Sequence, residues 1–355
     1  MINTILIFPI IACILMFIIR NKTFDKLMFN SYAIMQFIIT IFLMIKKTEN
    51  TQYFGLDQVN TVFLLVLSFV FLMISIYNNN YLKTLDFEDK KIRNYLCATM
   101  VFVLSMTGTI LSLDLAISWI LVEATTLTSA YLIYFNKTKH SIEAAWKYVF
   151  ICSIGIALAF VGIILLNISS GAVNSMRFAE LYRHTSEFDL MWLKLAFVFM
   201  LFGFGAKMGL APAHFWLPDA HSEAPSPISA LLSATLLNSA FLVIVRVFKI
   251  MELANCTNYA RLMLLVMGFL SLFVTAVFVY HINNYKRMLA YSSIENMGIL
   301  IIGIALGGIG AIASIVHLIG HSLIKASFFL TSGNVLKLYS SKKIFSQNFT
   351  SNTPK

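Results

Sequence analysis

The stretch from Lys207 to Ser229 places a lysine in an apolar segment and follows it with four prolines and four titratable side chains. Proline interrupts helical hydrogen bonding, so backbone carbonyl groups here need water or polar partners. A charged side chain within a membrane span costs roughly 2.5 to 3.5 kcal/mol on insertion scales, so a chain keeps one mainly where protons or ions move. In the loop, His214, Asp219 and His221 are candidates to collect protons at a channel mouth, and an ordinary polar turn is the alternative.

Glu123 is the second ionisable group within an apolar segment, and threonines and serines nearby give its helix a polar side. An opposite charge at ~4 Å with an effective dielectric of ~20 contributes about 4 kcal/mol. Contact with Glu123, or separation from it, would therefore switch Lys207 between ammonium and amine. The alternative interpretation is a structural ion-pair partner.

His317, His321 and Lys325 recur every four residues in a third apolar segment. Steps of four residues advance only ~40° around a helix, so the three side chains form one stripe that climbs ~12 Å. This spacing is typical of a proton relay. A single histidine on an apolar helix is better explained as a hydrogen-bonded core residue. Three titratable side chains on one face of such a helix instead favour a role in proton transfer.

The composition excludes a water-soluble globular protein. Hydrophobic residues make up 59% of the chain, charged residues 12%, and the mean hydropathy is +0.82. Soluble domains carry about 25% charged residues. The apolar runs approach the roughly 18 to 20 residues that a helix needs to cross a bilayer, whereas barrel strands alternate over ~10 residues. The sequence therefore predicts an all-α, polytopic transmembrane helix bundle.

We predict eleven spans joined by mostly short loops. They cover residues 2–19, 27–45, 59–77, 95–112, 114–134, 146–168, 192–211, 226–250, 259–281, 288–307 and 309–338. The prolines after Lys207 predict a broken helix at span 7. The polar tail, 339–355, is typical of a disordered segment.

The basic residues predict the orientation of the chain. Sixteen of the 26 lysines and arginines fall in loops after odd-numbered spans or in the tail, and eight fall on the opposite side. Only Lys207 and Lys325 remain, both within predicted spans. Because cytoplasmic loops carry an excess of basic residues, the N-terminus is predicted to lie outside. The net charge of +10 is thus explained by topology and does not indicate nucleic-acid binding.

The sequence offers no pattern for a cofactor or a metal. Its four cysteines are scattered through apolar segments without C-x-x-C spacing, unlike those of zinc or iron–sulfur sites. It also lacks a nucleotide-binding glycine loop and a flavin fingerprint. Moving one charge against 100 mV costs about 2.3 kcal/mol. We therefore expect the energy to come from a partner subunit or from the gradient of a second ion.

Several motifs together resemble the proton-conducting antiporter family, which supplies membrane subunits of respiratory complex I, of hydrogenase and formate-hydrogenlyase complexes, and of Mrp cation/proton antiporters. The resemblance covers residues 95–335. The motifs that carry it are Trp119–Glu123, Lys207 with His214–Pro225, Lys286–Ile294, and the stripe of His317, His321 and Lys325. Two further segments, Glu143–Lys147 and Tyr291–Gly298, are most similar to the hydrogenase-4 membrane subunit branch.

The resemblance implies that Glu123 and Lys207 are the helix-five glutamate and helix-seven lysine of the family's proton channel. Asn238 stands where several members carry a second lysine. The resemblance then implies that water or Asn238 itself links Lys207 to the stripe. The family also normally continues beyond the eleventh span with a broken helix that completes the outward half-channel, and this sequence does not.

The resemblance further implies a non-redox, proton-translocating subunit of a hydrogenase-4-like or complex-I-like oxidoreductase. Its partners would be the other membrane and redox subunits, in the inner (cytoplasmic) membrane. Two alternatives stay open: an Mrp-type antiporter subunit that moves sodium as well as protons, and a truncated structural module that transports nothing. We expect three regions, namely spans 1 to 3 with their following loop (1–94), the antiporter-like domain (95–338) and the tail (339–355).

Overall fold

A computed structural model describes residues 1–46, 50–83, 87–171, 173 and 175–344 of the chain. Eleven helices in this part are long and apolar enough to cross a membrane. Spans 1 to 11 are Ile2–Ile19, Lys22–Ile45, Gln58–Tyr81, Asp89–Leu111, Leu115–Asn136, Lys139–Ser170, Leu190–Met208, Ser226–Leu253, Thr257–Val279, Tyr285–Leu306 and Ile309–Tyr339. The predicted all-α bundle and its number of spans are confirmed. Most of the predicted tail, 345–355, lies outside the described residues, as does Lys47.

Polar side chains fix where many of the spans begin. A side-chain oxygen just before the helix accepts backbone N–H groups of the first turn, which otherwise lack partners. The residues that do this are Asn21, Asp57, Asp114, Thr138, Asp189 and Asn284. Spans 2 and 6 consequently start at Lys22 and Lys139, several residues before their predicted starts. Span 4 also starts early, at Asp89, without a side-chain cap. Hydropathy detects the apolar part of a helix and not its polar first turn.

Span 8 lies at the centre of the bundle. Of the 18 most apolar consecutive residues of span 8, 94% are buried, whereas the corresponding share in span 9 is 22%. It packs against spans 3, 7 and 11 and contains one π-helical segment, Leu232–Leu236. The central span therefore separates Lys207 on span 7 from the histidine stripe on span 11.

Span 7 ends at Met208, and Gly209 follows in the left-handed conformation with φ +81°. Glycine adopts this conformation without a steric penalty and commonly terminates helices. The chain then forms a short helix, Trp216–Glu223, before span 8. Two other short helices, Phe178–Arg183 and Thr185–Glu187, lie in the connection between spans 6 and 7.

Candidate functional site

The Lys207 side chain is fully buried, with 0% exposure, in the last turn of span 7. Its Nζ donates hydrogen bonds to Thr126 Oγ1 on span 5 (2.9 Å) and to the Tyr148 hydroxyl on span 6 (2.5 Å). Nζ also lies 4.7 Å from the centroid of the Tyr148 ring, which is close enough for a cation–π interaction. Three spans therefore meet at this ammonium group.

Glu123 is connected to Lys207 through a single hydroxyl group. Thr126 Oγ1, which accepts from Lys207, donates to Glu123 Oε2 over 3.2 Å. The other carboxylate oxygen, Oε1, accepts a hydrogen bond from Ser153 over 3.2 Å. Glu123 and Lys207 do not form a direct ion pair. The predicted proximity of the two groups is present, but it is mediated by Thr126.

Tyr148 joins Lys207 to a second row of hydroxyl groups. Its hydroxyl lies 2.6 Å from Ser129 Oγ, which donates in turn to the Thr125 carbonyl. The Tyr148 ring packs on Trp216 with 4.8 Å between centroids. The Trp216 indole donates to the Ala206 carbonyl over 2.9 Å and thereby satisfies one acceptor at the end of span 7. Sequence analysis did not select Tyr148, although a buried tyrosine hydroxyl in an apolar helix calls for a polar partner.

The stripe on span 11 is mostly buried. His317 Nε2 pairs with Asn296 Oδ1 of span 10 at 2.7 Å, and Lys325 donates to the Leu289 carbonyl over 2.8 Å. His321, which lies between them in sequence, is 4% exposed, and neither ring nitrogen has a hydrogen-bond partner among the described residues. Since buried polar groups are nearly always satisfied, a buried imidazole without a partner is a candidate functional group.

Asn238 links span 8 to span 11. Its amide donates to Ser322 Oγ over 2.8 Å and to the Ala234 carbonyl of its own helix. Ser322 is the residue next to His321. Asn238 makes no hydrogen bond to Lys207, so it lies beside the stripe and does not bridge the two clusters directly.

The three candidates in the loop after Lys207 occupy different environments. Asp219 forms ion pairs with Lys147 (3.2 Å) and Arg287 (2.7 Å) at one end of the bundle. His221 is 0% exposed and stacks on Phe329 of span 11, with 5.0 Å between ring centroids. His214 is also buried. Only Asp219 therefore lies where it could exchange protons directly with water.

Burial controls the protonation of both loop histidines. It lowers the pKa of His221 to about 3, and the positive charges of Lys325 and Lys286 act in the same direction. Burial also lowers the pKa of His214. Both nitrogens of His221 lack partners among the described residues. His221 is thus a neutral imidazole between the loop and the stripe.

Lys286 is a buried cation that sequence analysis placed wrongly in a loop. It lies in the first turn of span 10, is 1% exposed, and donates to the Ala224 carbonyl over 2.9 Å. Because Arg287 follows Lys286, the two basic residues have the sequence pattern of a loop in contact with water. Arg93 and Arg246 are also buried, and they pair with Asp25 (3.0 Å) and Asp57 (2.9 Å).

Metal coordination has little support in this site. Within the described ranges, no group of three or more His, Cys, Asp or Glu side chains could hold a metal ion. The polar atoms instead form rows of hydroxyl, carboxylate, amine and imidazole groups. Groups of these types at hydrogen-bond distance are chemically able to pass protons between neighbours.

The sequence and the fold of this chain are similar to those of known proteins. Residues 112–351 match the family model described as NADH:quinone oxidoreductase/Mrp antiporter, TM. The hydrogenase-4 component F homolog of Methylacidiphilum infernorum is 32% identical over 351 residues, or 96% of this chain and 74% of the relative. Hydrogenase-4 component B of Escherichia coli is 29% identical over 79% of this chain and 43% of its own length.

The same fold occurs in a solved structure. A chain of the membrane-bound sulfane sulfur reductase, an archaeal respiratory membrane complex, superimposes with a TM-score of 0.88 and 21% sequence identity. The match covers 97% of this chain and 72% of the other.

Proposed function

The chain belongs to the NADH:quinone oxidoreductase/Mrp antiporter family of membrane proteins, and from this premise we propose that it carries protons across the membrane as a subunit of a respiratory-type oxidoreductase complex. The other membrane and redox subunits would be its partners. The hydrogenase-4 relatives favour a hydrogenase-like complex, and the inner cell membrane is the location we propose for it.

The observation that carries the proposal is the Lys207–Thr126–Glu123 hydrogen-bond chain. A fully buried ammonium group is costly unless its N–H groups are bonded and an opposite charge is near. Here both conditions are met by polar side chains from spans 5 and 6. Burial of a charged side chain within a membrane span costs free energy, and such side chains commonly mark proton or ion pathways. We therefore assign Lys207 and Glu123 a transport role.

The geometry allows Thr126 to act as a switch. Ion-pair contact is absent, and the two hydrogen bonds through Thr126 measure 2.9 and 3.2 Å, so the charges lie about 4 to 6 Å apart and interact by about 3 to 4 kcal/mol at an effective dielectric of ~20. A small movement of span 5 changes this interaction. Separation then favours release of the Lys207 proton, and renewed contact favours its uptake.

The onward path runs through the groups around span 8. His221, His321 and Lys325 supply titratable side chains on the far side of that span, and Lys286 adds a buried cation beside them. Because neither imidazole has a hydrogen-bond partner among the described residues, water would complete the connection. Asn238 and Ser322 supply further donors and acceptors.

Proton uptake by membrane vesicles that contain the assembled complex tests the proposal. We expect Lys207→Ala and Glu123→Gln each to lower uptake at least ~10-fold, in line with the loss of a positioned proton-transfer group. Subunit content should be measured on the same vesicles. Undiminished uptake with intact assembly would refute the assigned roles.

An Mrp-type function is the second candidate, because the family model includes those antiporters. Vesicle assays with and without sodium distinguish the two. Uptake that depends on electron donors and not on sodium supports the oxidoreductase role.

We also propose that the N-terminus lies outside, and labelling of single cysteines placed near residue 50 and near residue 137 would test that orientation.

A further inference from the structure

A basic cavity lies at one end of spans 4 and 5, away from the proton path. It has a volume of about 520 Å³ and is lined by Lys90, Lys91 and Lys137, with Tyr131 and Tyr134 on one wall. One acidic residue, Glu88, also lines it. The cavity therefore carries an excess of positive charge.

Among the described residues, Glu88 is the acidic group that acts on these lysines, and it attracts Lys91 without forming an ion pair. None of them forms an ion pair with a carboxylate of the described residues, whereas many other basic side chains of the chain do. Lys91 is held over the rings of Phe87 and Phe135, at 3.5 and 4.8 Å from their centroids. Lys91 and Lys137 lie within electrostatic reach of each other. A bound anion would relieve this repulsion.

An apolar groove continues from the cavity along spans 5 and 6. It has a volume of about 370 Å³ and shares Tyr131 and Tyr134 with the cavity. Ala130, Ala145 and Trp146 form its other walls. Trp146 is 67% exposed. Tyrosine and tryptophan concentrate at the level where lipid headgroups meet acyl chains, so these rings place the cavity at headgroup depth and the groove at acyl-chain depth.

We propose that this cavity and groove together bind one anionic glycerophospholipid. The lysines contact the phosphate group, the tyrosine hydroxyl groups bond the headgroup or the ester region, and one acyl chain lies in the groove against Trp146. Basic pockets between membrane helices are known to select anionic headgroups. The apolar groove is what distinguishes a lipid from a free phosphate ion.

Native mass spectrometry of the purified chain tests the site, with phosphatidylglycerol compared against phosphatidylcholine of the same acyl chains. We expect selective retention of phosphatidylglycerol. The double variant Lys91→Ala/Lys137→Ala should lower its affinity ~30-fold, because each lysine near an anionic lipid contributes a roughly fivefold preference. Lys194→Ala/Lys249→Ala is the control, since both lysines, like Lys91, lie over aromatic rings but outside the cavity.

A second variant separates a lipid site from a simple anion site. Ala145→Trp fills the groove and keeps all three lysines, so it should weaken phosphatidylglycerol binding. Equal retention of both lipids would overturn the proposal. So would equal affinity of the two double variants, or displacement of phosphatidylglycerol by an equal concentration of inorganic phosphate with no effect of Ala145→Trp.

Discussion

Thr126 is the residue through which the acid and the amine communicate. Its hydroxyl accepts from Lys207 and donates to Glu123. The preceding residue, Thr125, has the same side chain, but its hydroxyl donates only to the Val122 carbonyl of its own helix over 2.6 Å. Of these two adjacent threonines, only Thr126 forms hydrogen bonds with Lys207 and Glu123.

Thr126→Val should lower proton uptake at least ~10-fold, because valine fills the same space but can neither accept a hydrogen bond from Lys207 nor donate one to Glu123. Thr126→Ser should retain most of the activity. Proton uptake by vesicles, normalised to assembled complex, is the measurement. Thr125→Val is the control, and an equal loss in both valine variants would contradict a special role for Thr126.

His221 predicts a pH dependence of stability. Its pKa is about 3 in the folded protein and about 6.5 in an unfolded chain. The unfolded state therefore binds one more proton as the pH falls below 6.5, and folding stability is lost in that range, by about 2 kcal/mol at pH 5. His221→Gln should lose less stability than the wild type between pH 7.5 and pH 5.

Thermal unfolding in detergent at the two pH values measures this effect. His140→Gln is the control, because His140 is exposed. If His221→Gln and the wild type destabilise equally on acidification, His221 does not stay neutral in the folded protein.

Sequence reasoning identified the acid and the amine but not the groups that join them. Glu123 and Lys207 stand out because a charge in an apolar segment is costly. Thr126, Ser153 and Tyr148 are common residue types in membrane helices, and only their positions in space give them a role. Lys286 was missed for a different reason, since a lysine at a helix start has the same sequence pattern whether it faces water or the interior.

At the scale of the helices, glycine lets spans 6 and 7 approach closely. A Cβ atom on Gly203 would lie 2.6 Å from the Ala159 nitrogen and 2.7 Å from the Ala159 Cβ. A Cβ atom on Gly155 would lie 2.7 Å from Ala206 Cβ. This close contact brings Lys207 to Tyr148, which lies on span 6.

Gly203→Ala should therefore separate the two spans and cost about 1 to 3 kcal/mol of stability, as overpacking generally does. Proton uptake should fall as Lys207 loses its contact with Tyr148. Gly320→Ala is the matched control, because a Cβ there meets no atom within 4 Å. Thermal unfolding and uptake should both be measured; a Gly203→Ala protein that behaves like Gly320→Ala would contradict the packing argument.

The number of spans could be predicted because each is a long apolar run. The neighbours of each span could not, because hydropathy carries no information about which helices touch. The approach of Glu123 to Lys207 was a hypothesis from their opposite charges and did not follow from periodicity. The short helix Trp216–Glu223 was also missed, since its prolines and charges are typical of a loop.

On the scale of the whole molecule, we propose that one exposed carboxylate within a span, Glu295, contacts another subunit, although Lys325 of this chain is also within its electrostatic reach. Glu295 lies midway along span 10, and its side chain is exposed on a stripe with Met288, Ile299 and Leu306. A carboxylate in contact with lipid at this depth is costly. We expect a basic or hydrogen-bonding side chain of a partner to cover it in the complex.

Glu295→Lys should weaken incorporation of the subunit into its complex severalfold and leave the stability of the isolated chain nearly unchanged. Native gel electrophoresis of solubilised membranes measures incorporation. Glu252→Lys makes the same charge change at the exposed end of span 8 and serves as the control. Normal incorporation of Glu295→Lys would show that no partner depends on this carboxylate.

The coupling between Glu123 and Lys207 can be measured most directly by a double-mutant cycle of proton uptake with Glu123→Gln, Lys207→Ala and the combined variant. Residues that act as one unit give losses that do not multiply. We predict that the combined variant is no slower than the slower single variant. A combined loss equal to the product of the two single losses would show that the acid and the amine work independently, and would contradict the mechanism.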